Sequence, residues 1–141
     1  MLTRMQILEL IPHQGSMCLL DGVTAWTDSS ITCHTSSHLS PHNPLRHADR
    51  LSAICGPEYG LQAAALHCAL TGGGRQPGGY LAALRDVVFR AERLDDVSLG
   101  PLRVEATREL RAQQGLIYRF VLTSVHGEPV LHGRASIILP T

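Results

Sequence analysis

The feature that most constrains this sequence is a helical segment, residues 51–74, that is apolar on nearly every side. Apolar residues recur in it at three- and four-residue spacing, and further apolar residues widen that stripe almost all round the helix. Pro57 suits the first helical position, Glu58 suits the positive end of the helix dipole, and Gly72 to Gly74 predict the end of the helix. A helix this apolar must be wrapped by other elements, and its many small residues allow a sheet to approach closely.

After residue 79 the apolar pattern changes to period two, which is typical of strands with one buried face. We predict four strands here, at 80–89, 103–110, 115–125 and 131–139. The residues expected on the inner faces of the last three strands are Val104, Ala106 and Leu110, then Leu116, Tyr118, Phe120 and Leu122, then Leu131, Gly133, Ala135, Ile137 and Leu139.

The N-terminal half predicts smaller elements. Thr3 and Gln6 have the spacing of a capping box, which predicts a short helix over 3–11. Residues 17–37 predict two short strands around a turn at 28–30, and residues 38–50 form a loop with two prolines and three histidines. One long helix against an antiparallel sheet is an α+β arrangement, and 141 residues fit a single domain, 1–141.

Charge excludes several partners. The chain has twelve arginines, no lysine and twelve acidic residues, so its formal charge is zero. Nucleic acids and anionic membrane surfaces both favour a surplus of positive charge, so we expect neither as a partner. No apolar run approaches the ~20 residues of a membrane span, and Arg4 and Glu9 interrupt any signal-like segment, which favours the cytoplasm.

The four cysteines predict neither a zinc site nor a redox pair. Cys18, Cys33, Cys55 and Cys68 are widely spaced and include no Cys-x-x-Cys pair. In a chain with a normal apolar fraction, they are expected to be small buried residues.

Glu58 is the first candidate for catalysis. A carboxyl group in the first turn of an apolar helix is stabilised as an anion by the helix end and as a neutral acid by burial, which suits a general acid or base. The alternative is an ordinary N-terminal helix charge. Gln62 lies one turn further on the same face, where it can hold the carboxylate or a substrate oxygen.

A group of histidines is the second candidate. His34, His38, His42 and His47 fall within fourteen residues, and imidazole suits proton transfer near neutral pH. No helical His-x-x-x-His pair accompanies them, which disfavours a metal site, and most are expected to be surface residues. The glycines at 72–74 lack the lysine of a phosphate-binding loop, and no Gly-x-Ser-x-Gly motif predicts a serine hydrolase.

Several of these segments together resemble a known family. PHQGSMCLLDGV at 12–23, CGPEYGLQAAA at 55–65, YLAALRDVVF at 80–89 and the late strands resemble the hotdog-fold β-hydroxyacyl-(acyl carrier protein) dehydratases over nearly the whole chain. The resemblance is closest to the branch of aryl-polyene and xanthomonadin-like pigment synthesis. The residues that carry it are Asn43-Pro44-Leu45-Arg46 and the Gly-x-Glu-Tyr-x-x-Gln motif at 56–62.

The resemblance implies a hotdog fold, in which an antiparallel sheet wraps one long central helix. It further implies a dimer of two chains paired edge to edge, with the acyl chain in a tunnel at their interface. The family's catalytic pair is a Glu on the helix and a His on the preceding loop, contributed across the interface. Glu58 matches the Glu; His38 is the favoured match to the His, and His47 is the second, because the usual His-Phe-Pro-Gly is missing.

The resemblance also implies the remaining features of the site. Backbone N–H groups near Gly56 and Glu58 would bind the thioester carbonyl, and Tyr59, Gln62 and His47 would contact the substrate. His38 would remove the α-proton while Glu58 protonates the leaving hydroxyl. No metal or redox cofactor is needed.

The implied partners are an acyl-(acyl carrier protein) or acyl-CoA thioester, the acyl carrier protein, and a second hotdog subunit, identical or different. Candidate docking positions for an acidic carrier are Arg46, Arg50 and Arg75. Two other functions stay open: a hotdog acyl thioesterase, and a non-catalytic acyl-binding subunit that completes a dimer with a more typical dehydratase.

Overall fold

After a two-residue strand that the sequence does not predict, the elements follow the predicted order of short helix, two strands, loop, long helix and four strands. The computed structural model describes residues 1–72 and 80–138. Its helices and strands are β1 (Leu2–Thr3), α1 (Arg4–Leu10), β2 (Gly22–Trp26), β3 (Ser30–Thr35), α2 (Gly56–Thr71), β4 (Tyr80–Phe89), β5 (Leu102–Ala112), β6 (Gly115–Thr123) and β7 (Pro129–Ile138).

The helix ends are formed by the residues that the sequence marks. The predicted capping box is confirmed, since the Gln6 N–H donates to Thr3 Oγ1 and the Thr3 N–H donates to Gln6 Oε1. Pro57 lies in the first turn of α2, and the Gly72 N–H donates to the Cys68 carbonyl at its end. The other two glycines of the predicted stop lie outside the described residues.

All seven strands belong to one antiparallel sheet, in the order β1-β2-β3-β5-β6-β7-β4. The sheet curves around α2, which contacts β3, β5, β6 and β7. This is the α+β arrangement that the sequence predicts, with β4 at one edge of the sheet.

Close approach of α2 to the sheet depends on Gly60. A Cβ atom added at Gly60 would lie 2.5 Å from Cγ of Phe120 on β6, which is a clash. Phe120 is fully buried beneath the helix. The small residues of α2 therefore let the helix backbone rest directly on aromatic side chains of the sheet.

The predicted inner faces are confirmed except at Leu110, and residue 139 lies outside the described residues. Val104 and Ala106 are buried, whereas Leu110 is 53% exposed. The β5–β6 register shifts between Arg108 and Leu110, which marks a β-bulge. Because one inserted residue reverses the alternation of side chains, Leu110 lies on the outer face.

Candidate active site

Glu58 lies in the first turn of α2 with its side chain exposed, although its neighbours Pro57 and Tyr59 are buried. Within the described residues, no hydrogen bond or ion pair engages its carboxylate. The side chain of Glu58 is therefore not buried in the single chain, although its place in an apolar helix suggested burial. Its carboxyl group is exposed where a partner or substrate can contact it.

In the single chain, the N–H of Gly56 donates to the carbonyl of Ala53, at the end of a 3₁₀ turn that leads into α2. A Cβ at Gly56 would lie 2.1 Å from Leu131 on β7. Glycine is needed here because the start of α2 packs directly on that strand.

Tyr59 holds the preceding loop through its hydroxyl group. Its fully buried hydroxyl lies 3.0 Å from Ser37 Oγ and 3.0 Å from Asn43 Nδ2. Asn43 Nδ2 also donates to the Ser37 carbonyl at 3.0 Å. Burial raises the pKa of the Tyr59 phenol, so it stays neutral. The three side chains join the start of α2 to residues 37–43.

His38 lies beside this network and is fully buried. Its Nε2 lies 2.8 Å from the Gly100 carbonyl. A carbonyl oxygen only accepts, so Nε2 carries the ring proton and Nδ1 carries the lone pair. Burial lowers the pKa of His38, which keeps the ring neutral, and Nδ1 has no hydrogen-bond partner.

No hydrogen bond or ion pair joins His38 to Glu58 in the described part of the chain. The imidazole is enclosed by its own chain, whereas the carboxylate faces outward. A substrate that touches both groups therefore requires the residues covering Nδ1 to move.

His47, the second predicted histidine, is exposed in a tight turn of the loop before α2. Its backbone N–H donates to the Arg50 carbonyl at 2.9 Å, and the Arg50 N–H donates back at 3.1 Å. The two residues between them, Ala48 and Asp49, have φ values of 52° and 61°. Non-glycine residues rarely adopt this conformation, which marks a tightly constrained turn.

Gln62 makes no hydrogen bond to Glu58 among the described residues. Its side chain is buried, with Oε1 accepting from the Leu19 N–H at 2.9 Å and Nε2 donating to the Met17 carbonyl at 2.7 Å. Both ends of the amide therefore fix residues 17–19 against α2. Gln62 thereby positions this segment of backbone.

A second buried polar network, which the sequence analysis did not identify, lies at the other end of α2. His67 Nε2 lies 2.8 Å from the Thr27 carbonyl, so it carries the proton, and Nδ1 accepts from the Tyr118 hydroxyl at 2.7 Å. The Cys68 thiol lies 3.3 Å from the same hydroxyl. Burial lowers the pKa of His67. The signal in the sequence was a histidine inside an otherwise apolar helix, opposite an inward-facing tyrosine.

A cleft of about 400 Å³ opens between the N-terminal segment and the loop after β3. Most of its lining residues are of polar types, and they include Arg4, Asp21, Ser37 and Asn43. Neither Glu58 nor the two candidate histidines line it. Arg4 already donates hydrogen bonds to the carbonyls of Cys18 and Gly15, so its guanidinium has partners within the chain.

All four cysteines are free thiols, and the core residue Cys33 has its pKa raised by burial to about 12. Among the described residues, no group of three or more His, Cys, Asp or Glu side chains is placed to hold a metal ion. None of the helices described is both long and apolar enough to cross a membrane.

Solved structures with the same fold include dehydratases and thioesterases. The dehydratase heterocomplex ApeI:P from Xenorhabdus doucetiae matches with a TM-score of 0.79 at 17% identity, covering 96% of this chain and 91% of that chain. A hypothetical thioesterase with coenzyme A from Streptococcus pneumoniae matches with a TM-score of 0.61 at 12% identity, covering 84% of each chain. The E. coli PaaI protein from the phenylacetic acid degradation operon gives 0.57 at 12%, covering 82% and 80%. At these identities the likeness shows the hotdog fold alone.

The family assignment comes from the sequence. No curated protein matches the chain. The sequence model of the ApeP-like family, described as ApeP dehydratase, matches residues 5–141, which includes α2, the preceding loop and every strand except β1. The chain therefore belongs to the ApeP-like family and is a hotdog-fold dehydratase.

Proposed function

We propose that this dehydratase removes water from a β-hydroxyacyl thioester, held on an acyl carrier protein or coenzyme A, in aryl-polyene or fatty-acid-like synthesis. The observation that carries the proposal is the free carboxylate of Glu58 at the start of a buried helix. A dehydratase needs an acid that reaches the substrate hydroxyl, and Glu58 is exposed and unpaired among the described residues.

In the proposed reaction, a base removes a proton from the α-carbon, and the electron pair of that C–H bond forms the double bond between the α- and β-carbons. The C–O bond at the β-carbon breaks, and the hydroxyl leaves as water with the proton of the Glu58 carboxyl group. Glu58 must therefore be protonated when the hydroxyl leaves. A partner chain or substrate that covers Glu58 would favour the protonated form by desolvation.

His38 is the proposed base. Its Nδ1 lone pair is unused, the ring is held in one tautomer by the Gly100 carbonyl, and its lowered pKa keeps it neutral near pH 7. A buried nitrogen without a hydrogen-bond partner is energetically unfavourable and calls for an explanation. A role in receiving the α-proton of the substrate supplies one. His47 is the alternative base, supported by its exposure on the loop before α2.

The enclosure of His38 favours a second candidate, in which the base comes from a different hotdog subunit and this chain supplies Glu58. The heterocomplex described for the ApeI:P structure supports an assembly of two hotdog chains. The edge strand β4 is the proposed pairing surface, because its exposed residues include Leu84 and Phe89. Apolar side chains on an open sheet edge are typical of a surface that pairs with another chain.

The test is a product assay on a 3-hydroxyacyl thioester, with the chain alone and mixed with a second hotdog subunit. Dehydration yields a conjugated double bond, whereas release of free thiol would indicate a thioesterase and contradict the proposal. His38→Ala and His47→Ala are then compared in the active form. A loss of at least about a hundredfold in kcat identifies the base; full activity in both variants places the base on the other subunit.

A further inference from the structure

Three arginines lie side by side across the outer face of the sheet. Arg85 on β4 is directly opposite Arg134 on β7, and Arg134 is directly opposite Arg119 on β6. Neighbouring strands are about 4.8 Å apart, so the three positions span about 10 Å. All three side chains are exposed. We call this set the arginine row.

The row faces away from α2. Gly133 and Ala135 flank Arg134 along β7, and both are buried against the core. Tyr118 and Phe120 flank Arg119 in the same way. Since successive side chains of a strand alternate between faces, these arginines lie on the open outer face.

The positive charge of the row is only partly compensated. Arg134 donates to Glu109 at 2.7 Å and to Asp86 at 3.1 Å. Arg85 and Arg119 make no hydrogen bond or ion pair with any described residue. The charge of Arg119 contributes, after that of Arg134, to the lowered pKa of Glu109. Like charges directly opposite each other destabilise a sheet, so an external anionic partner would relieve this repulsion.

The surroundings of the row suit a protein more than a small ligand. The surface is an open sheet face and not a cavity. Val88 and Leu110 are exposed on either side of it, opposite the outward residues His132 and Ile117. Arginine with exposed apolar residues is a typical composition for a protein interface. The chain as a whole is neutral, so the row is a local feature and not part of a generally basic surface.

The other arginines considered for docking are less suitable. The guanidinium of Arg46 is already bound to Asp95 at 3.3 Å and to the Asp49 carbonyl at 2.8 Å. Residue 75 lies outside the described residues. Arg50 is exposed in the constrained turn of the loop, without a neighbouring arginine in register.

We propose that the arginine row docks an acidic protein surface, that of the acyl carrier which presents the substrate. The inference rests on the proposed function, in which the substrate is bound to a carrier. Arg134 lies on the same strand as Leu131, which packs from the inner face of the sheet on Gly56, two residues before Glu58. Charge complementarity there would raise the encounter rate and lower KM for a carrier-bound substrate.

The experiment compares one acyl group on two carriers, the acyl carrier protein and the small neutral thiol N-acetylcysteamine. In the Arg85→Glu/Arg119→Glu variant, KM for the protein-bound substrate is expected to rise about tenfold or more, with kcat unchanged. Activity on the small thioester should stay at the wild-type level. The KM of wild type for the protein-bound substrate should also rise with salt.

Arg111→Glu is the matched control. Arg111 is exposed and pairs with the buried Leu116, so one such charge reversal falls here on the opposite face of the sheet and should leave KM unchanged. An unchanged KM in the double variant, or an equal loss on the small thioester, would overturn the inference.

A wild type that is inactive on both substrates, even when mixed with the second hotdog subunit, would contradict the proposed function instead. The row would then be tested by direct titration of the chain and its variants with acylated carrier. Weaker binding by the double variant supports docking at the row, and equal binding overturns it.

Discussion

The hydroxyl of Tyr59 accepts a hydrogen bond from Asn43 Nδ2 at 3.0 Å, and this contact ties α2 to the loop that precedes it. Tyr59 adjoins Glu58, and the same hydroxyl also contacts Ser37, which adjoins His38. The two proposed catalytic residues are therefore connected through their immediate neighbours, although they do not touch each other. The network fixes the position of the helix start relative to the loop.

Tyr59→Phe removes this connection while keeping the aromatic ring. It is expected to lower the free energy of unfolding by about 1–3 kcal/mol, because the Ser37 and Asn43 groups lose a buried partner. If the loop loosens and water reaches His38, the pKa of His38 rises towards its ordinary value. The acid limb of the kcat/KM profile should then move to higher pH, which a pH–rate series measures.

Tyr118→Phe is the control for that variant. It removes a buried hydroxyl from the His67 network, far along α2 from Glu58, and should cost a similar free energy of unfolding. Its acid limb should stay where it is in wild type. Equal shifts in both variants would mean that the Tyr59 effect is a general loss of stability.

Stability should fall as the pH drops below about 6.5. His38 and His67 both have pKa values lowered by burial, so the unfolded chain binds protons that the folded chain does not. Their stabilising contribution is complete above the unfolded pKa of about 6.5 and is lost below it, by at most about 1.4 kcal/mol per pH unit for each histidine. Carboxylates with lowered pKa values, such as Glu109, change the free energy of unfolding only below the ordinary glutamate pKa of about 4.3.

Urea unfolding between pH 5 and 7.5 measures this dependence, and His67→Gln should reduce the slope by roughly half because one of two histidines is removed. A free energy of unfolding that stayed constant over this range would contradict the burial of two neutral imidazole rings.

Gly60→Ala tests the close contact between α2 and the sheet. Alanine stabilises a helix by about 1 kcal/mol relative to glycine, but its Cβ would clash here with Phe120. Overpacking of this kind costs about 1–3 kcal/mol, so the variant should be less stable in thermal unfolding. Adding Phe120→Leu, which gives the methyl group room, should recover part of the loss; a stabilising Gly60→Ala would show that the helix does not rest on the ring.

Most of the fold is readable from the sequence because its signals are local. The Thr3–Gln6 cap, the apolar helix and the period-two strands depend on neighbours within a few residues. Leu110 was misassigned because a β-bulge cannot be seen in a pattern of alternation. The seven-strand order likewise depends on contacts between distant segments.

The site was harder to predict, since residue type does not reveal which groups a side chain contacts in the folded chain. Gln62 was expected near Glu58 because four residues make about one helical turn, but the backbone of residues 17–19 takes both ends of its amide. The close packing of Leu131 accounts for the glycine at position 56, and this contact joins segments that are distant in sequence. Enclosure of His38 depends on Gly100, sixty-two residues away in sequence.

The most direct test of the proposed mechanism is the dehydration rate of Glu58→Gln in the assembled enzyme. Glutamine keeps the size of the side chain but cannot supply a proton, so kcat is expected to fall at least about a hundredfold with the free energy of unfolding unchanged. Glu9→Gln, the same change on an exposed residue of α1, should have wild-type activity. Full dehydration activity in Glu58→Gln would contradict the assignment of Glu58 as the catalytic acid.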